Sequence, residues 1–124
     1  MPKAANVSLH KLTGQRLPKS HLVRKGWEYQ HVYSSGKRLH AKGFSLICLN
    51  NDLPFNRLGI SVHRKIRGAA RRNRLKRIIR ETFRCNRDLF PLSKDIVFTV
   101  RPDFILDHPA EIRTAVEALC RRDT

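Results

Sequence analysis

Between Arg67 and Arg87 the chain carries nine Arg or Lys residues, a single acid, Glu81, and no proline. At about 100° per residue, Leu75, Ile78, Ile79, Thr82 and Phe83 fall on one stripe, so the segment is expected to be a helix with one buried side. Asn73, Lys76, Arg77, Arg80 and Arg84 cluster on the opposite side, and Arg71 and Arg72 flank the stripe at the first turn. Pinned through Leu75, Ile79 and Phe83, such a helix holds its guanidinium groups in a fixed row that matches phosphate oxygens bidentately. Free N–H groups and the positive dipole end favour an anion beside Arg71 and Arg72. Asn73 adds donors and an acceptor suited to base edges or 2′-hydroxyls. A solvated surface helix would intersperse acids, and a membrane-surface helix would prefer Trp, Phe or Leu on its apolar side. This apolar stripe suits packing on strands.

The rest of the chain shares the charge bias: 26 Lys and Arg face 10 Asp and Glu over 124 residues, giving a formal net charge of +16 and a pI near 11.1. The length suits one compact domain with a modest core, and the charge calls for a polyanionic partner. Nucleic acid fits best, because each neutralised phosphate releases condensed counterions. The longest apolar runs, Phe44 to Leu49 and Ile96 to Val100, fall far short of the roughly 20 residues that span a bilayer. Met1 to Gly14 has no apolar core of the secretory kind, so a soluble, cytoplasmic protein is expected. Cys48, Cys85 and Cys120 form no close pair and suggest neither a disulfide framework nor a zinc knuckle.

Residues 1–20 are polar and basic without sustained periodicity and read as a flexible tail, leaving 21–124 as one RNA-binding domain in which order begins near Leu22. From Gly26 to Ser35, Tyr29, Val32 and Tyr33 recur at helical spacing, with Gly36 placed to end the helix in a left-handed conformation. Phe44 to Leu49 and Leu58 to Val62 read as strands separated by turn chemistry at Asn50 to Pro54. Phe44, Leu46 and Cys48 share one face, with Ser45, Ile47 and Leu49 on the other. In the second strand Leu58, Ile60 and Val62 form the core face, opposite a polar face of Arg57, Gly59, Ser61 and His63. Asp95 to Arg101 is a third strong strand candidate, and Arg38 to Ala41 a weak one. Asp107 or His108 caps a terminal amphipathic helix with Pro109 at its first position and Ile112, Ala115, Val116 and Leu119 on one stripe.

No constellation of the kind a protein nuclease needs is evident. The acids are scattered, and the six histidines lack convincing metal-ligand spacing. No catalytic residue and no protein-bound metal are therefore expected. A DNA-binding regulator would place its recognition helix beside a short turn and a second helix, whereas strands flank Arg67 to Arg87. A structural RNA-binding protein, such as a small ribosomal component, remains the alternative.

The run from Ser61 to Glu81, with Arg72-Asn73-Arg74 followed by Lys76, Arg77, Arg80 and Glu81, resembles the bacterial ribonuclease P protein family. Tyr29, Val32, Tyr33 and Gly36 match the family's aromatic, aliphatic, aromatic and glycine at this spacing, and Val100-Arg101-Pro102 is similar as well. The resemblance covers roughly residues 20 to 122. It departs at Arg67 and Gly68, where the family usually has Gly and then a polar residue.

The resemblance implies a single two-layer α+β domain, ordered helix, three strands, basic helix, strand, helix, with a left-handed crossover through the basic helix. It implies a protein subunit that binds the catalytic RNA of ribonuclease P through Arg71, Arg72, Asn73, Arg74, Lys76, Arg77 and Arg80. Arg64, Lys65, Arg67 and Arg101 are expected as further basic contacts. A cleft lined by Tyr29, Tyr33, Ser45 and Ile47, the last two on a polar strand face, would take the single-stranded 5′ leader of precursor tRNA. Mg²⁺ would act with the RNA subunit, which cleaves the leader.

Overall fold

A computed structural model describes residues 17–123; of the tail expected over residues 1–20, Met1 to Arg16 lie outside the described residues. Three helices and four strands follow in the order α1 (Gly26–Ser35), β1 (Lys37–His40), β2 (Phe44–Asn50), β3 (Arg57–Val62), α2 (Ala69–Cys85), β4 (Lys94–Val100) and α3 (Pro109–Asp123). Short 3₁₀ turns occupy Lys19–His21 and Arg87–Leu89. Order therefore begins earlier than Leu22: Leu17 already packs on the main core, and Val23 N–H donates to the Leu58 carbonyl at 2.8 Å.

The strands form one sheet in the order β1-β2-β4-β3. β1 with β2 and β2 with β4 are antiparallel, whereas β3 and β4 are parallel and joined through α2. The Leu58 carbonyl and the Ile60 N–H point away from β4, towards Val23 and the Tyr29 hydroxyl. Leu58 shares the α2-side core with Leu75 and Ile79. Viewed from α2 with β3 running upward, an L-residue facing the viewer directs its backbone polar groups to the right. β4 consequently lies to the left, and the crossover is left-handed, against the usual preference.

Alternation along the strands distributes the core. Phe44, Leu46, Leu58, Ile96, Phe98 and Val100 meet Leu75, Ile79 and Phe83 of α2 and Ile112, Val116 and Leu119 of α3. Phe44 and Phe98 stack with centroids 4.7 Å apart, and Phe104 sets its edge against both. Across the sheet, α1 rests on a smaller apolar patch in which Val32, Ile47 and Val97 are all buried. The odd-numbered face of β2 is therefore not the polar face expected from its sequence. A packed helix covers it, and alternation alone cannot reveal a helix on the second face.

Two glycines have structural reasons. Gly36 is not left-handed: it ends α1 with φ −79°, and a Cβ there would lie 2.6 Å from the Val32 carbonyl oxygen and 2.9 Å from Ile47 Cγ2. Its smallness lets the chain turn directly from α1 into the sheet. Gly68, at the departure from the family pattern, has φ +91°, a conformation L side chains rarely adopt, and it starts α2.

Candidate nucleic-acid interface

The stripe on α2 is realised as expected, with Leu75, Ile79, Thr82 and Phe83 buried. Burying that stripe turns Arg71, Asn73, Arg74, Arg77 and Arg80 outward as exposed side chains and leaves Lys76 half-buried. Among the described residues, no ion pair involves Arg71, Lys76, Arg77 or Arg80. Arg74 pairs with Asp107 at 2.5 Å, and Arg84 pairs with Glu81 at 2.6 Å. Its hydrogen bond to Arg74 holds the Asp107 carboxyl below the usual carboxylate range. Asp107 thus serves α2 instead of capping α3. Glu111 reaches back to the N–H groups of Asp107 and His108 at 3.0 and 3.2 Å.

Arg72 has a different geometry from its neighbours. Its guanidinium donates to the carbonyls of Val62, His63 and Ile66 at 3.0, 2.9 and 2.9 Å. These bonds fasten the start of α2 to the end of β3 and satisfy carbonyls of the intervening turn. Arg64, Lys65 and Arg67 are exposed on that turn, so Arg72 holds the loop that presents them.

On the opposite face, Tyr29 and Tyr33 are half-buried on α1, their ring centroids 6.3 Å apart and tilted by 50°. The Tyr29 hydroxyl accepts from the Ile60 N–H at 3.1 Å and lies 3.5 Å from the Ile60 carbonyl. Its ring lies on Gly59, where a Cβ would come within 3.0 Å of three ring-end atoms. A glycine inside a strand signals such close approach, yet the helix above it could not be located from sequence. Burial raises the Tyr29 pKa above that of an ordinary phenol, so it remains a hydroxyl at neutral pH.

The two strand positions expected to line this cleft are buried. Ile47 lies beneath Val32, and Ser45 accepts a hydrogen bond from the Arg101 guanidinium. Arg101 also donates to the Ala41 carbonyl and lies 3.9 Å from Asp103, so it ties the turn between β1 and β2 to the end of β4. Arg38 donates to the Tyr33 carbonyl at 3.2 Å, tying β1 to α1.

The seat of α1 is electrostatic as well as apolar. Arg57 forms a bidentate pair with Asp95 at 2.7 and 2.6 Å and reaches Glu28 at 3.0 Å. Burial would raise the Asp95 pKa, but hydrogen bonds from Arg57 and Asn51 outweigh it. Glu28 is likewise depressed despite burial, through the N–H groups of Lys25 and Arg24 and then Arg57. Sequence separation of 29 and 38 residues from Arg57 hid this network.

A cavity of about 290 Å³ opens at the outer edge of β3, where Arg24, Tyr29 and Gly59 meet Lys76 and Arg80. It makes the basic side of α2 continuous with the aromatic side of α1. No group of three His, Cys, Asp or Glu residues is placed to hold a metal ion among the described residues. Nor, among them, is any helix long and apolar enough to cross a membrane.

A family model described as Ribonuclease P matches residues 17–123. A ribonuclease P protein component of Desulfotalea psychrophila is 63% identical over 105 residues, covering 85% of this chain and 88% of the relative. The RNase P protein of Staphylococcus aureus, solved at 2.0 Å, superposes with a TM-score of 0.71 at 29% identity, covering 86% of this chain and 97% of that one. The RNase P protein of Thermotoga maritima superposes with a TM-score of 0.71 at 31% identity over 82% and 96% of the two chains. These likenesses favour this assignment over the ribosomal alternative, and the chain belongs to the ribonuclease P protein family.

Proposed function

We propose that this chain is the protein subunit that lets a catalytic RNA remove the 5′ leader of precursor tRNA. The exposed Arg71, Arg77 and Arg80, with Lys76, bind phosphates of that RNA, and the α1 cleft takes the unpaired leader. The observation that carries the reading is the continuity of Lys76 and Arg80, which form no ion pair among the described residues, with Tyr29 through the cavity at the β3 edge. One polyanion can run along α2 while a single strand crosses α1.

The two halves supply different kinds of affinity. Fixed cations on α2 release counterions and so bind RNA without regard to sequence. Tyr29 and Tyr33 offer ring faces on which bases of any identity stack, as a subunit serving many leaders requires. Ile47 supports these rings from below through Val32, and Ser45 acts through its hydrogen bonds. Neutralisation by the protein lowers phosphate repulsion between leader and RNA. Hydrolysis is assigned to the RNA and its Mg²⁺, and this chain contributes binding and orientation.

The test is reconstitution. Precursor tRNA, the RNA subunit and this chain are combined over a Mg²⁺ series, with each macromolecule also assayed alone. The expected result is no turnover by the RNA-free protein and stimulation of the RNA that is largest at low Mg²⁺. Metal-dependent cleavage by the protein alone would overturn the division of labour. Absence of stimulation at every Mg²⁺ concentration would overturn the proposed function.

A further inference from the structure

We propose that His40 is a specificity-determining residue of the leader cleft, presenting a fixed Nε2–H donor to a hydrogen-bond acceptor on a leader nucleotide; this rests on the leader-binding reading above. The register of the sheet places His40, Ser45, Thr99 and Ser61 side by side on four adjacent strands, β1, β2, β4 and β3, on the face that carries α1. They form a polar row next to the Ile47 and Val97 row on which α1 rests.

The bonds of Ser45 assign the imidazole tautomer. Arg101 can only donate, and it donates to the buried Ser45 Oγ. Among the described residues the Ser45 hydroxyl has one other partner, His40 Nδ1 at 2.9 Å, so its buried hydrogen is assigned to that nitrogen. A neutral imidazole that accepts at Nδ1 carries its hydrogen on Nε2. His40 is exposed, and with Nδ1 engaged by Ser45 its Nε2–H is left without a partner among the described residues. The Arg122 guanidinium donates to the His40 carbonyl at 3.2 Å and steadies the backbone from α3.

The donor stands on the edge strand β1, where a nucleotide can reach His40 without entering the buried part of the row, Ser45 and the Thr99 Oγ1. The acceptor is an oxygen or nitrogen of the leader, from either a phosphate or a base edge.

Two amide variants separate the nitrogens. His40→Asn places its amide at the Nδ1 position and can still bond Ser45, but it offers nothing at Nε2. His40→Gln places an amide donor at the Nε2 position. In the reconstituted holoenzyme, His40→Asn should lower the ratio of precursor to mature tRNA affinity about threefold to tenfold, the worth of one hydrogen bond. His40→Gln should retain most of the ratio, and neither variant should shift the melting temperature. Single methylphosphonate substitutions and single base replacements along the leader then identify the source. One position should lose its sensitivity to His40→Asn, in the first series for a phosphate and in the second for a base. An unchanged ratio for His40→Asn, equal losses in both variants, or no sensitive leader position would overturn the inference. Tyr29→Leu with Tyr33→Leu serves as the control: if that pair also leaves the ratio intact, the leader-binding reading itself has failed.

Discussion

The proposed function gives Tyr29 two roles that a paired substitution can pull apart. Its hydroxyl closes the outer edge of β3 by accepting from the Ile60 N–H at 3.1 Å, and its ring is half-exposed beside Tyr33. Tyr29→Phe removes only the first role. The Ile60 N–H is half-buried and loses its partner, which costs about 1 kcal/mol. For a chain of this size that lowers the melting temperature by roughly 3 to 6 °C. The ring faces persist, so the precursor-to-mature affinity ratio should stay within about twofold of wild type, because the stack is untouched. Tyr29→Leu removes both roles: it should destabilise at least as much and also lose a base stack of about 1 to 3 kcal/mol. That loss lowers the ratio roughly 5-fold to 150-fold. The assay is equilibrium binding of precursor and mature tRNA to the reconstituted holoenzyme, beside thermal unfolding of the free protein. If Phe and Leu lower the ratio equally, or if Leu lowers only the melting temperature, the ring serves the fold and not the leader.

Charge reversal at Arg77 or Arg80 should weaken assembly with the RNA and reduce the slope of log affinity against log salt by about one per lost phosphate contact; an unchanged slope would refute the proposed face. Glu28 and Asp95 both sit below their ordinary pKa in the fold, so the native state binds fewer protons than the unfolded chain. Their contribution is present above the ordinary carboxylate value of about 4 and is lost as pH falls through the lowered values. Arg57→Leu should destabilise by about 3 kcal/mol near neutrality and flatten the fall in melting temperature between pH 6 and pH 3. Gly36→Ala forces a Cβ to within 2.6 Å of a carbonyl oxygen and should destabilise by about 1 to 3 kcal/mol. Gly26→Ala, with nothing within 4 Å, should be neutral or slightly stabilising in the same unfolding experiment.

Local pattern carries most of the secondary structure and the identity of the basic helix. The helical periods around Val32, Leu75 and Ile112 and the strand alternation at Phe44, Leu58 and Ile96 each reflect burial of one side of an element, and neighbouring residues encode that side. The imbalance of Arg and Lys over acid in α2 is equally local, and it marks the basic face before any fold is known. What the neighbours of a second sheet face are is not local. Ile47 and Ser45 looked like surface positions because alternation assigns faces without saying what covers them, and α1 crosses that face only because Val32 and Glu28 find Ile47, Val97 and Arg57. The same holds for individual cations. Arg72 and Arg77 are the same residue type on the same helix, yet one is drawn onto three carbonyls of the turn before α2 while the other is exposed. Sequence alone determined that this chain folds as an α+β domain with one strongly basic helix pinned by an apolar stripe. Tertiary structure decided which bases, rings and hydroxyls are left unsatisfied and outward, because hydrogen bonds and ion pairs between elements remove the rest from contact with a ligand.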